Sequence, residues 1–158
     1  MSDVARRSSL ATTGARKAPT PSQTVGPFLA IGLPWEQGPV ADPQGVRISG
    51  LVLDGAGEPI IDALVETWQY DPPAFARCPT DDEGRWHVQV SRAPYVAVHV
   101  FARGLLRHLT TRICFDESAI PDGVPDDRRA TLLPEETDDG YRFDIRIQGP
   151  DETVFFDL

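Results

Sequence analysis

No stretch of this chain approaches the roughly 18 consecutive apolar residues that a membrane-spanning helix needs. No hydrophobic segment follows Arg6 and Arg7 either. A chain with two cysteines, Cys78 and Cys114, and no leader is expected in a reducing compartment, the cytoplasm, with both thiols free. Basic residues are outnumbered, 15 Lys and Arg against 24 Asp and Glu, and the resulting charge of −9 has the wrong sign for a general binder of nucleic-acid phosphates. There is no G-x-S-x-G elbow, and neither cysteine sits in a nucleophile motif, which argues against a hydrolase triad. There is no G-x-G-x-x-G or P-loop; Gly55 and Gly57 fall in D-G-A-G-E-P, which a turn explains. The three histidines, His87, His99 and His108, never form H-x-H or H-x3-H, so no local metal motif exists.

What is present is one domain's worth of chain. Its 158 residues, 41% of them hydrophobic, suffice for a single ordinary core. Charge is unevenly placed: residues 1–18 carry Arg6, Arg7, Arg16 and Lys17 against Asp3, a balance of +3 that leaves −12 for the rest. That Ser-, Thr-, Ala- and Arg-rich stretch has no apolar period and reads as a flexible basic tail. Residues 19–45 form an N-terminal arm, and 46–158 the folded domain.

From Val46 onward the dominant period is two, which predicts an all-β protein with little helix. Six strands are expected, at 46–53, 63–69, 85–91, 95–101, 108–115 and 141–148. The first ends in Asp54-Gly55-Ala56-Gly57, a turn cluster that predicts a hairpin-like reversal. In 85–91, Trp86, Val88 and Val90 share one face, with Arg85, His87 and Gln89 on the other; in 95–101, Val96, Val98 and Val100 oppose Tyr95, Ala97, His99 and Phe101. Fifteen prolines and thirteen glycines punctuate the gaps, and alternating strands with turns predict a β-sandwich. The acidic stretch 116–140 reads as a solvated loop with at most a short helical turn. The terminal Thr153-Val154-Phe155-Phe156 is too apolar to hang in water and is expected as an edge strand or an interface piece. His87 is expected to face solvent, His99 to be a hydrogen-bonded core or interface residue, and His108 to lie on the surface.

Four segments carry a resemblance: TPSQTVGPF at 20–28, WQYD at 68–71, VFARG at 100–104 and YRFDIRIQGPDETVFFDL at 141–158. Together they resemble the alpha chains of the protocatechuate 3,4-dioxygenase family, from about Thr20 to Leu158. The segment GLVLDGAGEPIIDALVETWQ at 50–69 is less specific, since its pattern occurs in other prealbumin-like sandwiches. The resemblance implies a prealbumin-like β-sandwich of the intradiol dioxygenase type. It implies an alpha/beta hetero-oligomer that cleaves protocatechuate (3,4-dihydroxybenzoate) with O2 to 3-carboxy-cis,cis-muconate. The cofactor it implies is a non-haem ferric ion held by two tyrosines and two histidines of the beta chain, the histidines as H-x-H on a strand. Here that strand reads Tyr95-Val96-Ala97, and no tyrosine lies between Asp71 and Pro94, so the four-ligand centre cannot be assembled from this chain.

By the same resemblance the alpha chain lends part of the pocket wall, with no catalytic or metal-ligating residue of its own. Arg103 is the position that reaches toward the substrate, whose carboxylate a guanidinium can hold by charge-assisted hydrogen bonds. Thr24, Gly26, Pro27 and Phe28 match the arm that closes over the pocket. Position 28 is phenylalanine where related chains often carry tyrosine, and 71–77 and 91–94 look shortened. Two alternatives remain open from sequence: a prealbumin-like binding or structural sandwich without enzymatic partner, and a self-sufficient catechol or hydroxyquinol dioxygenase, which needs ligands this chain lacks.

Overall fold

The computed structural model describes residues 19–24, 26 and 28–157. The tail at 1–18, Val25, Pro27 and Leu158 lie outside the described residues. Nine strands are present among the described residues: β1 Val46–Leu53, β2 Leu64–Tyr70, β3 Pro73–Pro79, β4 Arg85–Val90, β5 Tyr95–Phe101, β6 Leu109–Cys114, β7 Glu135–Thr137, β8 Gly140–Arg142 and β9 Ile145–Arg146. One sheet runs β4-β1-β8-β7, with β9 also paired to β1; the other runs β3-β2-β5-β6. The two inner faces enclose one main core that includes Ile48, Val65, Trp86, Val88, Val98 and Ile113. This is the β-sandwich that the period-two pattern predicts. Each buried Val, Ile or Leu in it contributes about 1.5–3 kcal/mol relative to an exposed one.

Strand-face assignments hold closely. Val96, Val98 and Val100 are fully buried, and Trp86, Val88 and Val90 face the core. Among the described residues the helical content is a single turn, α1 Leu29–Gly32 in the arm, plus two 3-10 segments, Glu117–Ala119 and Asp126–Leu132.

Four expectations change. First, the turn at Asp54 does reverse the chain, with Asp54 Oδ1 accepting from the amides of Ala56 and Glu58, but the chain then crosses to the other sheet instead of pairing β1 with β2. Second, β3 is an additional strand. Its prolines at 73 and 79 hide it, yet it pairs antiparallel with β2 along its whole length after a tight reversal at the cis Asp71–Pro72 bond. Third, the expected strand at 141–148 is broken into β8 and β9. Phe143 crosses Gly50 of β1 so closely that a Cβ on Gly50 would lie 1.9 Å from its carbonyl oxygen, and Asp144 Oδ1 takes over the Leu51 amide at 3.0 Å.

Fourth, the acidic stretch is not all solvated loop. Ile120 and Leu132 are buried with Cys114 in a second small core, while Glu135, Glu136, Asp138 and Asp139 stay exposed. Its apolar residues come singly, so no period announces them. The C-terminal segment packs against the same region without forming a strand. Thr111 Oγ1 donates to the Val154 carbonyl at 2.7 Å and the Phe156 amide donates to the Thr110 carbonyl at 2.8 Å, which lays 153–156 along β6. Phe155 packs against the main core and Phe156 against the small one.

Candidate functional site

Chain reversal after β5 builds the site. Ala102 is buried, and the Leu105 amide donates to its carbonyl at 3.3 Å. Gly104 holds φ +90°, a conformation that a side chain strains. Between them Arg103 is turned outward, its side chain 71% exposed. Its Nε lies 3.0 Å from Asp62 Oδ2, a close ion pair not aligned as a hydrogen bond, and Asp62 itself is largely buried just ahead of β2. Asp62 therefore holds the inner edge of the guanidinium, and the terminal nitrogens stay open to a ligand. Nothing in the sequence marks Asp62; it follows Ile60-Ile61 in a turn and becomes meaningful only once β2 and β5 are neighbours.

The arm comes to the same turn. Thr24 Oγ1 accepts a hydrogen bond from the Gly104 amide at 2.7 Å, joining residues 80 apart in sequence. Two of the expected site positions, Thr24 and Arg103, are thus brought together at adjacent peptides. Gly26 is exposed; its carbonyl accepts from Leu29, and a Cβ there would meet only the Phe28 ring at 3.9 Å. The fold does not itself demand glycine at 26. Phe28 stands at the start of α1, its carbonyl accepting from Gly32 at 2.7 Å, with the ring 77% exposed. Pro27, also expected here, lies outside the described residues.

A groove of about 440 Å3 opens beside this turn, with Phe101, Leu106, Arg107, His108, Phe155 and Phe156 among its walls. A larger cleft, about 1140 Å3, lies elsewhere, on the outer face of β1 and β4, where Arg47, Ser49, Arg85 and His87 line it. Of the expected site residues that are described, Arg103, Thr24, Gly26 and Phe28, none lines it. Its charges are largely answered internally: Arg85 pairs with Asp81 and Glu83, and Arg142 with Asp144.

Tyr95 and Ala97 point from β5 to the outer face of the second sheet, opposite Cys114 and Arg112 of β6. Ala97 has no donor atom. The Arg112 guanidinium lies 4.4 Å from the Tyr95 ring centroid, so the position expected to face a ferric ion is covered by a cation. Tyr95 and Ala97 therefore do not fit a ferric centre.

The histidines divide. His108 is exposed, as expected. His99 is half-buried on the outer face and not in the core; its ring lies 4.9 Å from that of His108 and opposite Glu66 of β2. Burial, then His108, holds its pKa below the ordinary value. His87 is not simply solvent-facing: its Nδ1 sits 4.0 Å from Cys78 Sγ, because β3 packs against β4 at the sandwich edge. Burial, then Arg47, lowers its pKa. The Cys78 thiol is pushed up by burial, which keeps it protonated and unreactive.

No protein-family model matches the chain. The fold is similar to hydroxyquinol 1,2-dioxygenase from Pseudomonas putida DLL-E4, with a TM-score of 0.51 and 16% identity over 83% of this chain and 68% of that one. It is equally similar to the dioxygenase domain of a dioxygenase carbohydrate-binding protein fusion from Streptomyces sp. SirexAA-E, at TM-score 0.51 and 20% identity over 84% and 99% of the two chains. In sequence, the chain is 38% identical to the protocatechuate 3,4-dioxygenase alpha chain of Burkholderia cepacia, over 88% of this chain and 97% of the relative. Against the alpha chain of Pseudomonas putida the figures are 33%, 88% and 96%. With the sandwich and the arm-to-turn contact in place, the chain belongs to the protocatechuate 3,4-dioxygenase alpha-chain family.

Proposed function

We propose that this chain is the non-catalytic alpha subunit of an alpha/beta intradiol dioxygenase, supplying part of the wall of a pocket for 3,4-dihydroxybenzoate. The observation that carries this reading is the hydrogen bond from the Gly104 amide to Thr24 Oγ1, which lays the arm against the peptide next to Arg103. Arg103 supplies the charge: with Nε beside Asp62, its terminal nitrogens form a fork for the ring carboxylate. Asp62 positions that fork. Gly26, Pro27 and Phe28 follow Thr24 along the arm; Gly26 lets a ring approach the backbone and Phe28 offers an exposed aromatic edge.

The ferric ion and its ligands belong, on this reading, to a homologous beta chain, because Ala97 and the Arg112-covered Tyr95 leave no place for it here. When bound there, the iron supplies the ring-opening chemistry with O2. This chain's own residues bind and orient the carboxylate end of the substrate. Reconstitution tests the proposal. The purified chain should be colourless and hold no iron, and mixing with the beta chain should produce a coloured complex that turns over 3,4-dihydroxybenzoate. Stoichiometric ferric iron and ring opening in the isolated chain would refute it.

A further inference from the structure

The arm is fastened at a second place, and one residue, Arg77, makes the fastening through both its side chain and its backbone amide. Arg77, on the outer face of β3, directs Nε to Glu66 Oε1 at 2.7 Å and Nη2 to the same oxygen at 2.5 Å. Its Nη1 donates to the Leu33 carbonyl of the arm at 3.1 Å. Its guanidinium carbon lies 5.5 Å from the Trp35 ring centroid and 5.2 Å from that of Phe75, two rings stacked at 6.1 Å. The Arg77 amide donates to the Gly38 carbonyl at 2.8 Å, and a Cβ on Gly38 would come within 2.9 Å of the Arg77 carbonyl oxygen. The side chains of Arg77 and Glu66 are only 19% and 14% exposed.

We infer that Arg77, oriented by Glu66, is a positioning residue that clasps the arm at Leu33, Trp35 and Gly38 and so holds its leading end against the Gly104 turn. The arm between the two anchors, with Phe28 77% and Ile31 74% exposed, has little packing of its own. α1 is a single turn without buried residues or a side-chain cap, so it cannot set its own direction. The direction comes from the two fastened ends. Arginine is required because one planar group must serve a carboxylate, a carbonyl and two ring faces together; a lysine ammonium retains charge but cannot fill all four roles.

The consequence for substrate rests on the pocket-wall reading above, but the clasp itself does not. The test is Arg77→Lys and Arg77→Ala in the full chain bound to its beta chain, read by hydrogen exchange and by steady-state kinetics with 3,4-dihydroxybenzoate. Both variants should speed exchange of the Leu33 and Gly38 amides by about tenfold or more, the scale of a lost charge-assisted contact, while amides of β4 and β5 stay unchanged. KM should rise severalfold with kcat held within about twofold, as expected when only ground-state positioning is lost. Unchanged exchange in the arm, or exchange accelerated evenly across β4 and β5 in both variants, would overturn the clasp. A wild-type complex that ignores 3,4-dihydroxybenzoate would instead sink the pocket-wall reading while leaving the exchange result to decide the clasp.

Discussion

Arg103 and Gly26 separate two kinds of requirement. Arg103 is 71% exposed and carries no packing that the fold depends on. Its replacement by alanine leaves the largely buried Asp62 Oδ2 without its partner and should cost about 1–3 kcal/mol in urea unfolding without preventing folding. In the complex, KM for 3,4-dihydroxybenzoate should rise about 10- to 100-fold, the scale of a lost charge-assisted pair. Arg103→Lys should fall between the two, since it keeps the charge and loses the fork. An unchanged KM in the alanine variant would return Arg103 to the status of a surface residue. Gly26 gives the complementary case. Its surroundings within the chain are open, so Gly26→Ala should not lower the unfolding midpoint, and any kinetic loss measured in the complex would come from substrate or partner meeting the new methyl group. A variant that unfolds early instead would show that the fold needs glycine there after all.

Elements show where sequence periodicity suffices and where it does not. β4 and β5 were legible because one face meets the core and the other does not, and the alternation of Trp86, Val88 and Val90 records that asymmetry directly. β3 was not, because its inner face is built from Ala74, Ala76 and Cys78, small residues that carry little hydropathy contrast, and its ends are prolines. The break between β8 and β9 was equally hidden, since it arises from a neighbour: the backbone at Phe143 passes over Gly50. Gly50→Ala should accordingly cost at least about 2 kcal/mol in urea unfolding, because a methyl group cannot share space with a carbonyl oxygen and the strand must move. Full retention of stability would mean that β1 and the 143–144 crossing can separate freely. Arg103 and Thr24 are proposed for the site through the resemblance, whereas Asp62, Arg77 and Glu66 give no signal in the sequence, as each depends on cross-strand or arm contacts between distant segments.

At the scale of the whole molecule, two histidines couple the sandwich to pH. Burial, helped by Arg47, lowers the pKa of His87, and burial, helped by His108, lowers that of His99; Asp81 and Glu66 oppose these shifts without reversing them. The unfolded chain, with histidines near 6.5, takes up protons in the window just below that value that the native state does not. Stability therefore falls as pH drops from about 7 toward 5, the sign required when the unfolded state binds more protons. Asp42 acts in a separate, lower window. Its carboxylate accepts from Ser91 at 2.5 Å and from the Gln44 amide at 2.9 Å, which lowers its pKa, so its contribution is present above the ordinary carboxylate range and is lost only in stronger acid. The urea midpoint of the wild-type chain should thus decline between pH 7.5 and 5.5, before the carboxylates titrate. His87→Gln with His99→Gln should flatten that decline while keeping the midpoint at pH 7.5 close to wild type, since glutamine supplies a neutral polar group to both half-buried positions. An equal decline in the double variant would place the proton uptake elsewhere in the molecule.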